Sequence, residues 1–586
     1  MRRLLCIAIF VAAWVIAPAA QDDALTDQQR IADLNQLAAM YAKYYAPYEW
    51  KRDVVGFDLL RMTPWVQRIR HSDDLDFQEA LIEYVASLND AHDFVSFPSN
   101  FSATSGITTD IYDGKVLIDS INRSLLPVAQ FPFGVGDEIV AVDGVGIQDV
   151  IASLRKYLML ANPRSTDRYT SYYVLNRFQQ IMPHAADIGD SAAVTVKFAA
   201  TGITRTYDVP WRKAGVPILS QGPVPSPRRG NGVISPSSGG AGDTTGAGAP
   251  MLAGFHANAN GVEDDSLPPY MQPLRALLNG TLPAKPLGVL NFGSKTPMYA
   301  APAGFVQRLG ASSSHFFLTG TFPANGLRIG LIRIPNMTPS STSAALSQLN
   351  TEIAFMNANT DALIVDVTRN TGGSINYTES IAQRLFPTSF RTVGFEIRAT
   401  AYWIASFDAS VVLAEQSGAP ASVVTNLRNN RDEIIAAFNE NRGRTVPISL
   451  NPSGSLTLDP ATVAYSKPLM VLIDEFSASA AEMFASIIQD NHRGLLFGMR
   501  TMGAGGSVVS FDGTAYSEAT TSITLSLANR GRVITTPDYV PAPYIENIGV
   551  RPDITADIMT RTNLMTGGVP FTQAFVNAIV QYATPH

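Results

Sequence analysis

Apolar residues recur at helical spacing near the start of the chain. The positions in this pattern are Phe77, Ala80, Leu81, Tyr84, Val85 and Leu88. Apolar positions three or four residues apart form one face of an α-helix, and acidic residues such as Asp74 and Asp76 favour its N-terminus. The pattern predicts an N-terminal helical domain over residues 21–103, with a helix that ends before Asn89.

Short apolar runs of strand length characterise the C-terminal half instead. These runs are Arg328–Ile334, Leu363–Val367, Leu469–Ile473 and Leu495–Gly498. They alternate with helical patterns, which is typical of a layered α/β domain. We therefore predict such a domain over residues 266–586.

A smaller β-rich unit is predicted between these two regions, over residues 104–215. Lys115–Ile118 has strand character, and residues 136–144 read Gly-Asp-Glu-Ile-Val-Ala-Val-Asp-Gly. The final Asp143-Gly144 pair favours a tight hairpin turn, and a helix is expected around Val150–Leu158. The hairpin resembles the corresponding hairpin of PDZ domains.

The segment 216–265 separates this unit from the C-terminal domain. It is rich in Pro, Gly, Ser and Ala and carries too little apolar surface to offset the entropy of ordering. We interpret it as a flexible linker. The chain of 586 residues is too long for one hydrophobic core, so the fold class is a multidomain α/β (α+β) protein.

Residues 1–20 have the features of a secretory signal peptide. Arg2-Arg3 precedes the apolar run Leu4–Ile16, and Ala17-Pro18-Ala19 resembles a cleavage site. A membrane anchor is the alternative, but polar residues begin at once at Gln21. We expect an exported protein, secreted or periplasmic, with no stable membrane anchor after signal removal.

Composition excludes several classes of chemistry. The only cysteine, Cys6, lies in the predicted signal, so the mature chain has no disulfide or thiol nucleophile. The net charge is −7 and no basic cluster stands out, which argues against a nucleic-acid partner. No two of the seven histidines are spaced as metal ligands on one helix face, and the common nucleotide-binding motifs are absent. No metal or organic cofactor is expected.

Two strand-to-helix junctions carry the most distinctive chemistry. The first follows Leu363–Val367 with Asn370-Thr371-Gly372-Gly373, and the second follows Leu469–Ile473 with Asp474-Glu475-Phe476-Ser477-Ala478-Ser479. A serine at a helix N-terminus lies beside amide donors and the positive end of the helix dipole. We interpret Ser479 as a nucleophile, although an N-cap role for it and a nucleophilic Ser477 both remain open.

A serine nucleophile needs a base to accept its proton. His492 follows Ser479 by 13 residues across a predicted helix, which places it roughly 20 Å away. His92, at the predicted end of an N-terminal helix, is the better candidate, while a purely structural histidine there remains the alternative.

These motifs resemble the tail-specific (S41) protease family. In that family a strand leads into a Ser-Ala-Ser turn whose second serine is catalytic, which corresponds to Ser479 here. The glycine turn of that family supplies an oxyanion amide, which corresponds to Gly372 or Gly373, and the second donor is the amide of Ala480. The resemblance implies a layered core like that of the crotonase and ClpP folds.

One departure from the family pattern concerns the general base. Many members carry a lysine where this chain has Ala504, and alanine accepts no proton. The stretch Gly503-Ala504-Gly505-Gly506 instead resembles the chlamydial protease-like activity factor (CPAF) branch, which uses a histidine and a glutamate. The resemblance implies His92 as base and Glu546, in Ile545-Glu546-Asn547, as its orienting carboxylate. Glu546 as a plain surface carboxylate, and Gly372-Gly373 as a plain tight turn, remain alternatives.

The function expected from this resemblance is an exported serine endopeptidase with a Ser-His-Glu triad. A polypeptide is the expected substrate, captured by strand addition to the PDZ-like unit. A homodimer is left open. The rival hypotheses are a non-catalytic peptide- or ligand-binding protein on the same fold and a crotonase-like acyl-CoA enzyme.

Overall fold

The structure, a computed structural model, describes residues 24–219, 268, 270–271 and 292–584. The predicted signal peptide lies outside the described residues, and so does the predicted linker apart from residues 216–219. The α-helices of the described residues are α1 (Asp27–Tyr44), α2 (Tyr48–Val54), α3 (Thr63–Ile69), α4 (Asp74–Ala86), α5 (Ile147–Leu154), α6 (Pro163–Tyr173), α7 (Thr342–Asn359), α8 (Ile375–Gln383), α9 (Ala401–Gln416), α10 (Ala421–Asn439), α11 (Ala480–Asp490), α12 (Arg561–Thr566) and α13 (Val569–Ala583).

The predicted N-terminal helix is α4. Asp73 caps it, because its side chain accepts a hydrogen bond of 2.8 Å from the Asp76 amide. The helix ends where predicted, and Asn89 beyond it has a φ of 50°, a backbone conformation that cannot continue a helix. The chain is thereby turned toward the sheet that carries the site.

The PDZ-like unit is built on an antiparallel sheet. Its strands and their neighbours are β1 (Val95–Ser96), β2 (Ser102–Thr104), β3 (Ile107–Tyr112), β4 (Lys115–Ile121), β5 (Glu138–Val142), β6 (Val145–Gly146), β7 (Asn176–Phe178), β8 (Ser191–Lys197), β9 (Thr204–Pro210) and β10 (Arg212–Ala214). The main sheet has the order β3-β4-β5-β8-β9, with β6 paired to β5. Asp143 and Gly144, both with positive φ, form the predicted hairpin turn. The predicted helix begins earlier, as α5, and continues as a short 3-10 helix, Arg155–Tyr157.

The C-terminal domain contains a seven-stranded sheet. Its strands and those of the adjoining small sheets are β11 (Val306–Leu309), β12 (Leu318–Ala324), β13 (Leu327–Arg333), β14 (Ala362–Asp366), β15 (Phe390–Arg391), β16 (Gly394–Ile397), β17 (Thr457–Leu458), β18 (Leu469–Ile473), β19 (Leu495–Gly498), β20 (Val508–Asp512), β21 (Thr520–Thr524), β22 (Ser526–Ile534), β23 (Ala542–Tyr544) and β24 (Ile554–Thr555). The order in the large sheet is β11-β12-β13-β14-β18-β19-β24. From β13 to β24 the strands are parallel, and β14 and β18 are neighbours. The two strand-to-helix junctions, which follow β14 and β18, therefore lie side by side at one edge of the sheet.

Both faces of this sheet are buried, which explains the unbroken apolar runs. Leu363, Val365 and Val471 pack on one face, together with the N-terminal helices. Ile364 and Met470 point the other way, toward α13. The N-terminal helices thus share a hydrophobic core with the sheet that carries the site.

Two three-stranded sheets complete the surroundings of the site. β1 pairs with β21 in the sheet β1-β21-β20, and this pairing fixes the loop that follows α4. The second sheet has the order β16-β22-β23 and lies next to the N-terminal end of α11. Among the helices of the described residues, none is long and apolar enough to cross a membrane.

Candidate active site

Ser479 occupies an unusual backbone conformation directly before α11. Its φ of 54° and ψ of −121° lie in a region that side chains other than glycine rarely adopt. Every residue from 471 to 488 is buried except Ser479, which is partly exposed. The sharp turn therefore lifts this one side chain out of the core, as a nucleophile at a strand-to-helix turn requires.

Ser477 has a different environment. It is fully buried, and its hydroxyl donates to the carbonyl oxygen of Val367 at 2.8 Å and lies 3.1 Å from Asp474 Oδ1. These bonds fasten the β18 junction to the β14 junction. They give Ser477 a structural role in holding the two turns together.

The glycine turn packs directly against Ser479. A Cβ atom on Gly372, which has a φ of 96°, would lie 2.7 Å from Ser479 Cβ, so only glycine permits this approach. The Gly372 amide donates to Asn370 Oδ1 at 2.9 Å, whereas the amides of Gly373 and Ala480 have no acceptor among the described residues. Gly373 and Ala480 also line the cleft at Ser479. The arrangement favours these two as oxyanion donors over Gly372.

Glu482 is a residue of the site that the sequence reasoning missed. Its buried carboxylate accepts hydrogen bonds from the amides of Ser479 at 3.0 Å, Gly503 at 2.6 Å and Ala504 at 2.7 Å. Burial raises its pKa to about 7 against those hydrogen bonds. The carboxylate thus links the Ser479 turn to the loop at residues 503–504, between β19 and β20. The spacing Ser479-x-x-Glu482, a helix-start signature, was the available signal.

His92 lies in the buried loop between α4 and β1. Its carbonyl oxygen accepts from Ser522 Oγ, and the next residue, Asp93, accepts from the Thr524 amide at 2.8 Å. Both contacts anchor the loop to β21. Within the described residues neither ring nitrogen has a hydrogen-bond partner, so the ring is hydrogen-bonded to neither Ser479 nor Glu546. Burial lowers the pKa of the imidazole, which keeps it neutral and able to accept a proton.

Glu546 is fully buried beside His92, so the surface alternative is wrong. A ring nitrogen of His92 and carboxylate oxygens of Asp90 and Glu546 lie within 4.8 Å of one another. Glu546 Oε2 accepts from the Gly505 amide at 2.8 Å, and Oε1 is paired with the ammonium group of Lys51. The structure therefore brings His92 and Glu546 together but leaves the carboxylate bonded to Lys51.

Lys51, on α2, is a second residue that sequence reasoning missed. Its side chain is fully buried; Nζ donates to Asn547 Oδ1 and to the Asn89 carbonyl oxygen, each at 2.8 Å, and lies 4.0 Å from Asp90 Oδ2. Burial and Asp90 raise the pKa of Glu546 to about 8, and Lys51 acts in the opposite direction. No local sequence pattern links a lysine on α2 to a glutamate 495 residues later.

The cleft above Ser479 is lined mainly by apolar and small residues. Its walls include Ile375, Phe395, Met483, Ala528 and Ile545. Ala504 also lines the cleft and is fully buried. Such a lining suits an apolar substrate side chain next to the reacting bond.

A buried ionic network connects the PDZ-like unit to the nucleophile turn. Arg168 on α6 makes two hydrogen bonds to Asp110, at 2.9 and 2.7 Å, and lies 2.9 Å from Glu475. Arg369 pairs with Asp474 at 3.1 Å. The arginines beside Glu475 hold its pKa near 2 despite burial. The residues that precede Ser479 are thus held by charges from the PDZ-like unit.

Among the described residues, two groups of acidic and histidine side chains are close enough together to coordinate a cation. One is Asp90, His92 and Glu546, and the other is Asp76, Glu79 and His184. In both groups a carboxylate is already paired with a lysine: Glu546 with Lys51, and Glu79 with Lys156. The ammonium groups supply the positive charge, so these clusters fit a metal poorly.

Two segments of the chain match known domain families. Residues 328–556 match the profile of peptidase family S41, and residues 103–215 match that of a PDZ domain. Residues 328–556 therefore form a peptidase family S41 domain. The S41 core and the PDZ-like unit predicted from sequence are thereby confirmed.

Relatives support the same placement. A protein of Chlamydia trachomatis is 26% identical over 91% of this chain and 89% of its own length. A carboxyl-terminal-processing peptidase 3 of Arabidopsis thaliana is 37% identical over 14% of each chain. The crystal structure of mature CPAF superposes with a TM-score of 0.72 at 22% identity, covering 95% of this chain and 98% of that one. The S41 domain thus has the fold of the CPAF-like branch.

Proposed function

We propose that this S41 protein is an exported serine endopeptidase that cleaves polypeptides through an acyl-enzyme on Ser479. The observation that carries the proposal is the turn at Ser479. A partly exposed hydroxyl at a positive φ faces an apolar cleft beside two unused amides, those of Gly373 and Ala480. An acyl-transfer site needs this combination of nucleophile and oxyanion donors.

In the proposed mechanism Ser479 Oγ attacks the peptide carbonyl carbon while His92 accepts its proton. The oxyanion receives hydrogen bonds from the Gly373 and Ala480 amides, and His92 then protonates the leaving amine. Water hydrolyses the acyl-enzyme by the same proton transfers in reverse order. A positioned base contributes about 10²–10⁴-fold to the rate, and one oxyanion donor about 10²–10³-fold.

Glu546 orients His92 and stabilises its protonated form. This role requires the imidazole to move from its present position, where it makes no hydrogen bond, to one between Ser479 and Glu546. Hydrogen bonds of catalytic groups are often long without substrate and shorten in the complex. A ring nitrogen of His92 and a carboxylate oxygen of Glu546 already lie within 4.8 Å of each other, so only a small movement is needed to join these two groups.

The remaining features concern substrate delivery. The PDZ-like unit would capture extended polypeptide by strand addition to its sheet. Residues 1–20 would direct export to the periplasm or the exterior, and a homodimer stays a prediction. The apolar cleft predicts an apolar side chain on the acyl side of the cleaved bond.

Fluorophosphonate labelling followed by peptide mapping tests the proposal. We expect one adduct, on Ser479 and not on Ser477, which is lost in Ser479→Ala and strongly slowed in His92→Ala. Cleavage of an unstructured protein substrate should likewise be lost in Ser479→Ala and strongly slowed in His92→Ala. A non-catalytic binding protein would give no adduct on either serine, and a crotonase-like enzyme would bind coenzyme A without dependence on His92.

A further inference from the structure

A second cleft, at the C-terminal end of α11, is dominated by arginines. We call it the arginine cleft and define it by Arg391, Arg530 and Arg532, with Asp490 as the acidic residue in its wall. Asp490 pairs with Arg530 at 2.5 Å and with Arg532 at 2.6 Å. Arg391 is exposed and has no acidic partner among the described residues. Three guanidinium groups therefore face one carboxylate, in a chain whose net charge is −7.

The walls of the arginine cleft are well fixed. Arg530 is only 3% exposed and also donates to Gln489 Oε1 at 2.8 Å. The Asn491 side chain holds the backbone of Arg391 with two hydrogen bonds of 2.9 Å: its Oδ1 accepts from the Arg391 amide, and its Nδ2 donates to the Arg391 carbonyl oxygen. A Cβ atom on Gly531 would lie 2.2 Å from Arg391 Nε, so the glycine leaves the space that this guanidinium occupies. The arrangement is built rather than a chance meeting of mobile side chains.

The arginine cleft and the Ser479 cleft share a wall, which is strand β22 of the antiparallel pair β16–β22. Phe395 on β16 is paired with Ala528 on β22, and both residues line the Ser479 cleft. Arg530 follows Ala528 by two positions on the same strand, and alternate residues of a strand share a face. At about 3.3 Å per residue Ala528 and Arg530 are roughly 7 Å apart along β22. Ser479 and Asp490, at opposite ends of α11, are roughly 16 Å apart at about 1.5 Å per residue.

We propose that the arginine cleft binds a carboxylate of the polypeptide substrate, a few residues from the bond that Ser479 attacks. This inference rests on the proposed peptidase function. Guanidinium groups bind carboxylates with two parallel hydrogen bonds, which fixes position as well as charge. An extended substrate advances about 3.3 Å per residue, so its carboxylate reaches the cleft two to five residues from the scissile bond. The carboxylate comes from an acidic side chain or from the substrate's C-terminus.

Binding of peptide pairs to full-length Ser479→Ala tests the inference without requiring cleavage. Each fluorescent peptide has an apolar residue at the cleavage position and a single Glu or Gln scanned through the flanking positions, with an amidated C-terminus. A further pair lacks acidic side chains and compares a free with an amidated C-terminus. We expect about tenfold tighter binding for Glu than for Gln at one or two adjacent positions, or for the free C-terminus if that is the source.

Substitutions separate the arginine cleft from general charge effects. Arg391→Gln and Arg532→Gln, placed in the Ser479→Ala background, should each abolish most of the preference and leave the neutral peptide bound as before. Arg391→Lys should retain part of it. Arg428→Gln is the matched control, because Arg428 is an exposed arginine with one carboxylate partner on α9. It should leave the preference intact.

Equal binding of every Glu and Gln pair, and of free and amidated termini, would overturn the inference. So would a preference that survives both Arg391→Gln and Arg532→Gln. If the wild type cleaves the neutral peptides through Ser479 but shows no acidic preference, the inference fails and the peptidase function stands. If the preference is present in binding but no peptide is cleaved, the peptidase function fails instead.

Discussion

Lys51 controls the charge of the proposed triad. Its buried ammonium is paired with Glu546 and lies 4.0 Å from Asp90, so two carboxylates share one cation beside His92. A buried carboxylate without a cation takes up a proton, and a protonated Glu546 could not stabilise an imidazolium. Lys51 therefore favours the ionised form of Glu546, which burial and Asp90 disfavour.

The pH dependence of cleavage follows from these pKa shifts. Burial lowers the pKa of His92, so the base is already neutral at neutral pH, whereas Glu546 has a pKa near 8. Because Glu546 acts as the anion in the proposed mechanism, kcat/KM should rise with pH through about 8. Glu546→Gln should lower the rate and remove this rise. A profile that is flat between pH 7 and 9 in the wild type would contradict the assignment.

Lys51→Met should move the rise in kcat/KM to higher pH. Removal of a nearby opposite charge raises a carboxyl pKa by about 1–3 units, so activity near pH 8 should fall and recover partly at higher pH. The check is a pH–rate profile with a peptide substrate. Lys115→Met is the control, since Lys115 is exposed and lies 3.5 Å from Glu138 in the PDZ-like unit. An unchanged profile in Lys51→Met would remove Lys51 from the account.

Single residues were predictable where a local pattern marks them. The turn at Ser479 follows an apolar strand and precedes a helix, and the structure places this serine at the predicted junction. Lys51 could not be found in this way, because its partners Asn89 and Glu546 are distant in sequence. Equally, the sequence did not indicate that the His92 ring lacks a hydrogen bond to Ser479.

The neighbouring strands β14 and β18 bring the two functional turns together. Both strands end at the same edge of the sheet, and Ala478 N donates to the carbonyl oxygen of Asn370 at 3.0 Å. The apolar runs predicted these strands to within one residue. The pairing of β14 with β18 was not predictable, because the order of strands in a sheet depends on the packing of the whole domain and not on either apolar run alone.

Gly373→Ala should damage the oxyanion site with little effect elsewhere. Gly373 has a φ of 142°, and an added Cβ atom would lie 2.5 Å from the backbone of Met337, so the turn must move. Loss of one donor predicts a fall in kcat of about 10²–10³-fold. Gly418→Ala is the matched control: Gly418 has a φ of 67°, but nothing lies within 4 Å of its added Cβ atom. Equal activities of the two variants would argue against the Gly373 amide.

The domains of the molecule are joined by charges in its interior. Arg168, from the PDZ-like unit, is 1% exposed and contacts Glu475 in the turn that leads to Ser479. The sequence predicted both units, and their family profiles confirm them. The sequence did not predict the ion pair between Arg168 and Glu475, because a buried ion pair between separate units leaves no periodic pattern in the sequence of either unit.

Arg168→Met should destabilise the molecule strongly. Removing one partner leaves Asp110 buried without its main cation, which costs about 3–5 kcal/mol of unfolding free energy. Arg155→Met is the control, because Arg155 is 43% exposed and its pair with Asp167 contributes about 0–1 kcal/mol. Chemical denaturation of both variants checks the difference. Similar midpoints for the two would show that the network contributes little.

In the proposed mechanism His92 joins Ser479 and Glu546 when substrate is bound. A crystal structure of the protein with a peptide boronate on Ser479 measures this most directly. We expect one ring nitrogen of His92 within about 3 Å of the boronate or Ser479 oxygen and the other within about 3 Å of Glu546. A boronate adduct on Ser479 with the imidazole still unbonded, and Glu546 still held by Lys51, would contradict the account.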